Sequence, residues 1–427
     1  MNDKITWRRG LAALSPMFVF LTFYVVVSVV IGDFYRMPIS VALLAASVWA
    51  VVIFRGHSLT DRIEIFSKSA GHSNILFMIW IFVLAGAFAR LAGEIGAVQA
   101  TVDLALRFFP AEMVVPMLFF AACFISLSIG TSVGTVVALT PLAAEMAHVA
   151  GTATAFYVAV VLGGAFFGDN LSFISDTTIA ATRTQGCAMS DKFKANLRIA
   201  LPAALVTLAI YIFKGYDTPE ALVAEVSEPW LIIPYIVVIV LAVIGTNVSL
   251  VLTCGILSAL ALGFIKGTGA VDMAIFMGQG IDSMGSLIII TLLAAGMLGI
   301  IKAAGGIKYL LQVLTSRISG TRAAQGVLAV LVGIVNLCTA NNTVAIITVG
   351  DISREISKRY GIAPRKSASI LDSASCVVQC LIPYGAQTLL ATSMASISPT
   401  APFPYLYYPW ALAVMLVISV LVKNRRR

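Results

Sequence analysis

The chain has 427 residues, of which 59% are hydrophobic and only 11% are charged, and its mean hydropathy is +0.98. Apolar runs near twenty residues recur along the whole length, so there is no room for a separate soluble domain. This composition predicts an all-α polytopic membrane protein in a lipid bilayer. The net charge of +8 reflects a basic excess in the loops on one side of the predicted spans, so it indicates orientation and not a nucleic-acid partner.

Taken in chain order, the apolar runs predict ten crossings and two interrupted segments that do not cross. The crossings lie near residues 11–32, 37–54, 73–89, 153–181, 195–213, 230–247, 248–265, 283–301, 366–395 and 405–422. With both termini in the cytoplasm, most of the 28 Lys and Arg residues fall on the inner side. This distribution predicts a multi-pass protein of the bacterial inner membrane.

The first interrupted segment, about residues 111–149, has two apolar arms around the polar tip SIGTSVGT. Such a pattern predicts a re-entrant hairpin, which enters and leaves the membrane on one side. The tip and the start of its second arm supply candidate substrate-binding residues: Thr131, Ser132, Gly134 and Thr135.

The broken span at about 153–181 contains GGAFFGDNLSFISDTT, which places Asp169 and Asp176 inside the membrane. A carboxylate there costs roughly 2.5–3.5 kcal/mol, and no Lys or Arg lies nearby in the broken span, so we expect a functional role. Gly163, Gly164 and Gly168 are expected to weaken the helix just before the aspartates. Carboxylate, hydroxyl and carbonyl oxygens suit Na⁺, and a carboxylate can instead hold a proton. The candidate ion- and proton-binding residues are Asp169, Asn170, Ser172, Ser175, Asp176, Thr177 and Thr178, with Asp169 and Asp176 as the Na⁺ ligands.

The second half has a matching hairpin at about 323–360 and a matching broken span at about 366–395. The hairpin tip reads CTANNT, and the broken span is expected to break at Pro383 and Gly385. Asp372 lies near Lys366, and an ordinary charge at a helix end is an equally good interpretation of it. The candidate substrate-binding residues of this half are Asn341, Asn342, Thr343, Asp372, Ser373 and Gln379.

These matches predict two repeats, residues 1–215 and 216–427. A gap-free alignment pairs Ser132 with Asn341, an offset of 209. Each half has an odd number of crossings, so the halves are expected to have opposite orientation. Inverted repeats with two re-entrant hairpins and two broken helices are typical of secondary transporters, whose sites lie where the broken elements meet. The chain has no nucleotide-binding loop, which favours an ion gradient over ATP as the energy source.

The motifs resemble those of the NhaC-type sodium/proton antiporters of the ion transporter superfamily. GDNLSFISDTT is similar to the signature GDKxSPxSDTT, TSVGT to TSWGT, and LIPYG to LIPW. The resemblance implies that the aspartates, serines and threonines of these motifs line the transport site. This sequence has Asn170 for the family's lysine, Phe173 for its proline, and Val133 and Tyr384 for its tryptophans, which marks a divergent branch. Loss of the lysine would leave Asp169 without an adjacent cation.

The leading hypothesis is therefore a Na⁺/H⁺ antiporter, and not an enzyme, that works by alternating access. The broken helices and hairpins would move against a framework of the other spans, and the superfamily analogy suggests a homodimer through that framework. No organic cofactor is implied, because Na⁺ and H⁺ are the transported species. The alternative is an ion-coupled carrier of a small carboxylate or amino acid. The absence of Arg and Lys from the tips weighs against a dicarboxylate.

Overall fold

A computed structural model describes residues 5–31, 38–108, 111–172, 175–215, 228–244, 246–315 and 318–422. The regular secondary structure in these ranges is entirely helical. The α-helices are α1 (Trp7–Ile31), α2 (Ile39–Ile53), α3 (Leu59–Ala70), α4 (Ser73–Glu94), α5 (Ala97–Phe108), α6 (Ala111–Ile129), α7 (Ser132–Val149), α8 (Thr154–Leu171), α9 (Asp176–Gln185), α10 (Met189–Gly215), α11 (Ile233–Val243), α12 (Val248–Lys266), α13 (Ala270–Ser283), α14 (Gly285–Ala303), α15 (Gly306–Thr315), α16 (Thr321–Thr339), α17 (Asn342–Arg359), α18 (Pro364–Leu381), α19 (Ala386–Met394) and α20 (Tyr407–Leu421). Two short 3₁₀ segments, Pro229–Ile232 and Phe403–Tyr405, precede α11 and α20.

The helices have the length and composition of a polytopic membrane protein. Eight segments of the described chain are long and apolar enough to cross a membrane, and four shorter apolar helices accompany them. Large apolar side chains such as Phe18, Trp49, Phe213 and Trp410 are exposed on the outside of the bundle, as a lipid-facing surface requires. The predicted all-α membrane fold is confirmed.

Four short helices, α3, α5, α13 and α15, occupy stretches that the sequence analysis left between spans. Each has 10 to 14 residues, too few for a crossing, so an analysis based on apolar run length passes over them. α3 begins with a capping box in which Ser58 and Asp61 each accept the other's backbone N–H. These helices pack against the longer spans, with α3 on α14 and α13 on α4.

The helix boundaries recur along the chain at a constant spacing of 210 residues. α6, α7 and α8 begin at Ala111, Ser132 and Thr154, while α16, α17 and α18 begin 210 positions later, at Thr321, Asn342 and Pro364. The N-caps Thr131 and Asn341 also share backbone angles, with φ −146° and −147°. The offset of 209 was therefore wrong by one residue, because Ser132 corresponds to Asn342. Because few residues are identical between the two tips, the alignment of the halves depended on the hydropathy pattern alone.

The repeat boundary and the inversion of the two halves stay predictions. The predicted boundary after residue 215 adjoins residues 216–227, which lie outside the described residues. The re-entrant course of the hairpins also stays a prediction. Each hairpin arm is 18 or 19 residues long, about 28 Å at 1.5 Å per residue.

One break agrees with its predicted cause and the other does not. In the second half the helix stops at Leu381 and restarts at Ala386, so the break falls at Pro383 and Gly385 as predicted. In the first half α8 continues through all three glycines and ends at Leu171. The glycines instead allow close packing on α6: a Cβ on Gly168 would lie 2.1 Å from Ser126 Oγ.

The halves exchange contacts at their broken helices. α8 packs between the arms α6 and α7, and α18 packs against α16 and α17. Beyond each break the partner changes, because α9 packs on α17 of the second half and α19 packs on α7 of the first. This exchange brings both tips and both breaks to one place.

Candidate functional site

A cavity of about 700 Å³ lies where the two tips and the two breaks meet. The predicted site residues on its wall are Thr131, Ser132, Asp169, Asp176, Thr177, Asn341, Asn342, Thr343 and Gln379. The cavity therefore unites candidates from both halves of the chain.

Asp169 lies in the last turn of α8, and only 4% of the residue is exposed. Its Oδ1 accepts the backbone N–H of Ser132 at 3.0 Å, and its Oδ2 accepts the Ser132 hydroxyl at 2.6 Å. Ser132 is the first residue of α7, whose N-cap Thr131 makes no side-chain cap hydrogen bond. A carboxylate on one helix thus caps the N-terminus of another, where the helix dipole favours negative charge.

Asp176 is the first residue of α9, and its side chain is exposed on the cavity wall. Arg183, two turns later on the same helix, also lines the cavity. On the described wall, the charged side chains are Asp169, Asp176 and Arg183. The cavity thus combines two carboxylates with one guanidinium.

Hydroxyl groups around the first break bind the backbone that the break exposes. Ser175 Oγ and Thr177 Oγ1 donate to the carbonyl oxygen of Asp169 at 3.0 and 3.2 Å. Thr178 Oγ1 donates to the carbonyl oxygen of Ser172 at 2.8 Å. Carbonyls at a helix end lack intrahelical partners, so these hydroxyls stabilise the shape of the break. Their direct contact with a transported ion stays a prediction.

A chain of hydrogen bonds joins the two halves across the cavity wall. Gln387, in the first turn of α19, donates from Nε2 to Ser132 Oγ at 3.0 Å, and Ser132 in turn donates to Asp169. Gln379 donates from Nε2 to Gln387 Oε1 at 2.9 Å and to the carbonyl oxygen of Ala340 at 2.9 Å. Each tip is therefore connected to both breaks.

The second tip caps its own helix. Asn341 accepts the backbone N–H of Val344 with its side-chain oxygen at 3.0 Å, which satisfies a free donor at the start of α17. Asn342 Oδ1 accepts the N–H of Thr343 at 3.1 Å. The tip CTANNT contains two amides and two hydroxyls but no Asp, Glu, Lys or Arg, so it has no charged side chain of these types.

Asp372 is fully buried in the middle of α18, which corrects its interpretation as a charge at a helix end near Lys366. Lys192 Nζ lies 2.9 Å from Asp372 Oδ2, and Asn196 Nδ2 donates to the same oxygen at 2.6 Å. Lys366 instead donates to the carbonyl oxygen of Ser419 at 2.8 Å. The cation that pairs with Asp372 thus comes from α10 and not from the broken span itself.

The remaining predicted residues lie behind the cavity wall: Gly134, Thr135, Asn170, Ser172, Ser175, Thr178, Asp372 and Ser373. Of the positions where the resembled family has tryptophan, Val133 lines the cavity. At the other, the Tyr384 hydroxyl donates to the carbonyl oxygen of Leu337 at 2.8 Å. Phe173 lies outside the described residues.

Sequence reasoning missed three residues of this region: Arg183, Gln387 and Lys192. Arg183 could have been found from its two-turn spacing after Asp176, which puts both on one helix face. Gln387 could have been found from the 210-residue repeat, since it occupies the position of Thr177. Lys192 has no such signal, because its place depends on how α10 packs against α8 and α18.

Comparison with known proteins identifies the family of this chain. The family model described as the Na⁺/H⁺ antiporter family matches residues 10–216 and 220–423, which is nearly the whole chain. The chain belongs to the Na⁺/H⁺ antiporter family. Members of this family are transporters, which agrees with a cavity between two broken helices.

The chain is also similar to individual relatives. It is 23% identical to the Na⁺/H⁺ antiporter NhaC of Bacillus subtilis, over 82% of this chain and 84% of that protein. It is 22% identical to the arginine/ornithine antiporter ArcD of Halobacterium salinarum, over 95% and 90% of the two chains. A malate-2H⁺/Na⁺-lactate antiporter of Bacillus subtilis is 25% identical over 49% of this chain and 47% of its own.

Among solved structures, the YdaH transporter of Alcanivorax borkumensis aligns with 94% of this chain and 98% of its own. That alignment has 13% identity and a TM-score of 0.45.

Proposed function

We propose that this protein exchanges Na⁺ for H⁺ across the bacterial inner membrane. The observation that carries the proposal is the pair of carboxylates, Asp169 and Asp176, on one cavity between the two breaks. A carboxylate surrounded by hydroxyl and carbonyl oxygens binds either Na⁺ or a proton. Because the two occupants exclude each other, one site is sufficient to couple their opposite movements.

The charge distribution supports an orientation with both termini in the cytoplasm, as the positive-inside rule predicts. In that orientation, three residues of the cavity wall lie near the cytoplasmic ends of their helices. Phe77 is near the start of α4, Asn247 directly precedes the start of α12, and Arg183 is near the end of α9. The cavity would then open to the cytoplasm, which corresponds to the inward-facing state of alternating access. The other spans would form the framework and a homodimer interface.

A pH-gradient assay in everted vesicles from an antiporter-deficient host tests this function. NaCl, LiCl and KCl are added in turn to vesicles that contain the wild type, Asp176→Asn, or the matched control Asp272→Asn. Asp272 is exposed on α13, away from the cavity. We expect cation-dependent collapse of the gradient in the wild type and the control, and its loss in Asp176→Asn. Inserted wild-type protein that responds to no cation over a broad pH range would contradict antiport.

A second candidate function is ion-coupled transport of a small carboxylate or amino acid. Two observations favour it: the cavity of about 700 Å³ is far larger than one cation requires, and Arg183 on its wall is a natural partner for a carboxylate. The relatives named for malate, lactate, arginine and ornithine transport are consistent with it. Uptake of labelled carboxylates and amino acids by wild type and Arg183→Gln tests this candidate. Saturable uptake that Arg183→Gln abolishes would support it, and no uptake of any of them would exclude it.

A further inference from the structure

A buried lysine stands out among the charged residues of the structure. Lys192 lies in the first turn of α10, and its side chain is only 1% exposed. Its Nζ contacts three oxygens: Asp372 Oδ2 at 2.9 Å, the carbonyl oxygen of Asn170 at 2.7 Å, and Thr178 Oγ1 at 2.6 Å. A buried ammonium persists only when charge and hydrogen bonds compensate it, and here three acceptors do so.

The three acceptors come from three elements of the site. Asn170 lies before the first break, Thr178 lies after it, and Asp372 belongs to α18 of the second half. Asn196, one turn along α10 from Lys192, donates to the Asn170 carbonyl at 2.9 Å and to Asp372 Oδ2 at 2.6 Å. α10 therefore holds both sides of the break and connects them to the second half.

The same contacts determine which carboxylates are free. Asp169 interacts electrostatically with both Asp176 and Asp372. Other titratable groups that interact electrostatically with Asp372 or Lys192 include Cys187, Cys376 and Tyr408. Lys192 contacts only one of the three carboxylates, Asp372. The positive charge of Lys192 compensates the negative charge of Asp372. The carboxylates of Asp169 and Asp176, which line the cavity, are not compensated by Lys192.

We propose that Lys192 is the internal counter-charge of the ion site: it neutralises Asp372 and positions the first break, which leaves Asp169 and Asp176 for the transported charge. Lys192 is a positioning residue, because it acts through Asp372 and the first break. This inference rests on the proposed exchange of cations for protons. Removal of the ammonium leaves an extra negative charge beside the site, and removal of Asp372 leaves an extra positive charge.

The test is the KM for Na⁺ in proteoliposomes, measured as Na⁺-dependent proton flux per inserted protein. Four variants are compared with the wild type: Lys192→Met, Asp372→Asn, the double variant, and the control Lys194→Met, whose lysine is exposed on the same helix. We expect KM to fall at least fivefold in Lys192→Met and to rise at least fivefold in Asp372→Asn. The double variant restores charge balance and should return KM to within threefold of the wild type, at a lower maximal rate. Lys194→Met should have the wild-type KM.

Several outcomes would overturn the proposal. A purely structural lysine would make both single variants weaken cation binding, so KM would move in the same direction in both. Inserted single variants with unchanged KM would also contradict it. If a single variant does not insert, the double variant decides: a KM within threefold of the wild type supports charge compensation, and a tenfold change contradicts it. Wild-type protein without any cation-dependent flux would instead remove the proposed function, and this inference with it.

Discussion

The two broken helices share a backbone plan but differ in charge. At positions 210 residues apart, Asp169 of the first corresponds to Gln379 of the second, and Asp176 corresponds to Ala386. Asp169 accepts hydrogen bonds from the tip of its own half, whereas Gln379 donates one to the tip of its own. The repeat thus preserves the position of a polar contact and reverses its direction.

This difference assigns distinct roles to the two halves. The first break holds both carboxylates of the cavity, so under the proposed function it is the part that would bind a cation or a proton. The second break supplies neutral amides, which orient the first tip through Gln387. An account in which both halves bind ions equally does not fit these side chains.

The largest effect is expected from Asp169→Asn, which gives the first break the neutral amide chemistry of the second. Exchange should fall at least 100-fold, because the variant loses a carrier charge. The variant also loses one of the two oxygens that accept hydrogen bonds from Ser132 at the α7 N-terminus. Gln379→Leu, a change at the equivalent position of the second half, should retain measurable exchange. Both rates are measured as cation-dependent proton flux at matched protein levels, and equal loss in the two variants would contradict the asymmetry.

The next effect concerns packing of the broken helices on their hairpins. In the first half the small residue is Gly168, whose added Cβ would lie 2.1 Å from Ser126 Oγ. In the second half the equivalent position is Val378, which packs against Gly333 of α16. Gly168→Ala should destabilise the protein by about 1–3 kcal/mol through overpacking. Thermal unfolding in detergent measures this, with Gly326→Ala, which has open space around it, as the control. An unchanged midpoint for Gly168→Ala would contradict the close packing.

A smaller effect is expected from Gln387→Leu, which removes the connection between the halves. The change removes the donor to Ser132 Oγ and the acceptor of one Gln379 N–H, at a cost of about 1–3 kcal/mol, while Ser132 keeps its bond to Asp169 and Gln379 its bond to Ala340. The KM for Na⁺ should rise about tenfold, since roughly 1.4 kcal/mol corresponds to a factor of ten. The control is Gln279→Leu on α13, which is not a cavity residue. If Gln387→Leu and the control behave alike, the hydrogen-bond chain does not orient the site.

The smallest effect separates the two ways of capping the tips. Asn341→Ala removes a side-chain cap from α17 and should cost about 1 kcal/mol. Thr131→Ala should cost less, because Thr131 makes no side-chain cap bond and Asp169 caps α7 instead. Hydrogen exchange at the first amides of α7 and α17 measures both. Equal loss of protection in the two variants would show that the caps do not differ.

The sequence was sufficient to predict the parts of the site whose signal is local. Polar tips, aspartates inside apolar runs and the Pro383 break are all visible against the surrounding hydropathy, and the structure brings these elements to one cavity. The prediction that the glycines before Asp169 weaken the helix was wrong, because glycine in a membrane helix allows close packing as readily as a break. Lys192 could not be predicted, since a lysine near the start of a helix normally faces water and only tertiary packing buries it.

Under the proposed function, the carboxylates of the first break carry the transported charge. The most direct measurement is ²²Na⁺ uptake into proteoliposomes of purified protein, driven by an imposed outward proton gradient, for wild type, Asp169→Asn and Asp272→Asn. We expect uptake in wild type and Asp272→Asn that a protonophore abolishes, and no uptake above background in Asp169→Asn. Gradient-driven ²²Na⁺ uptake by Asp169→Asn at the wild-type rate would contradict it.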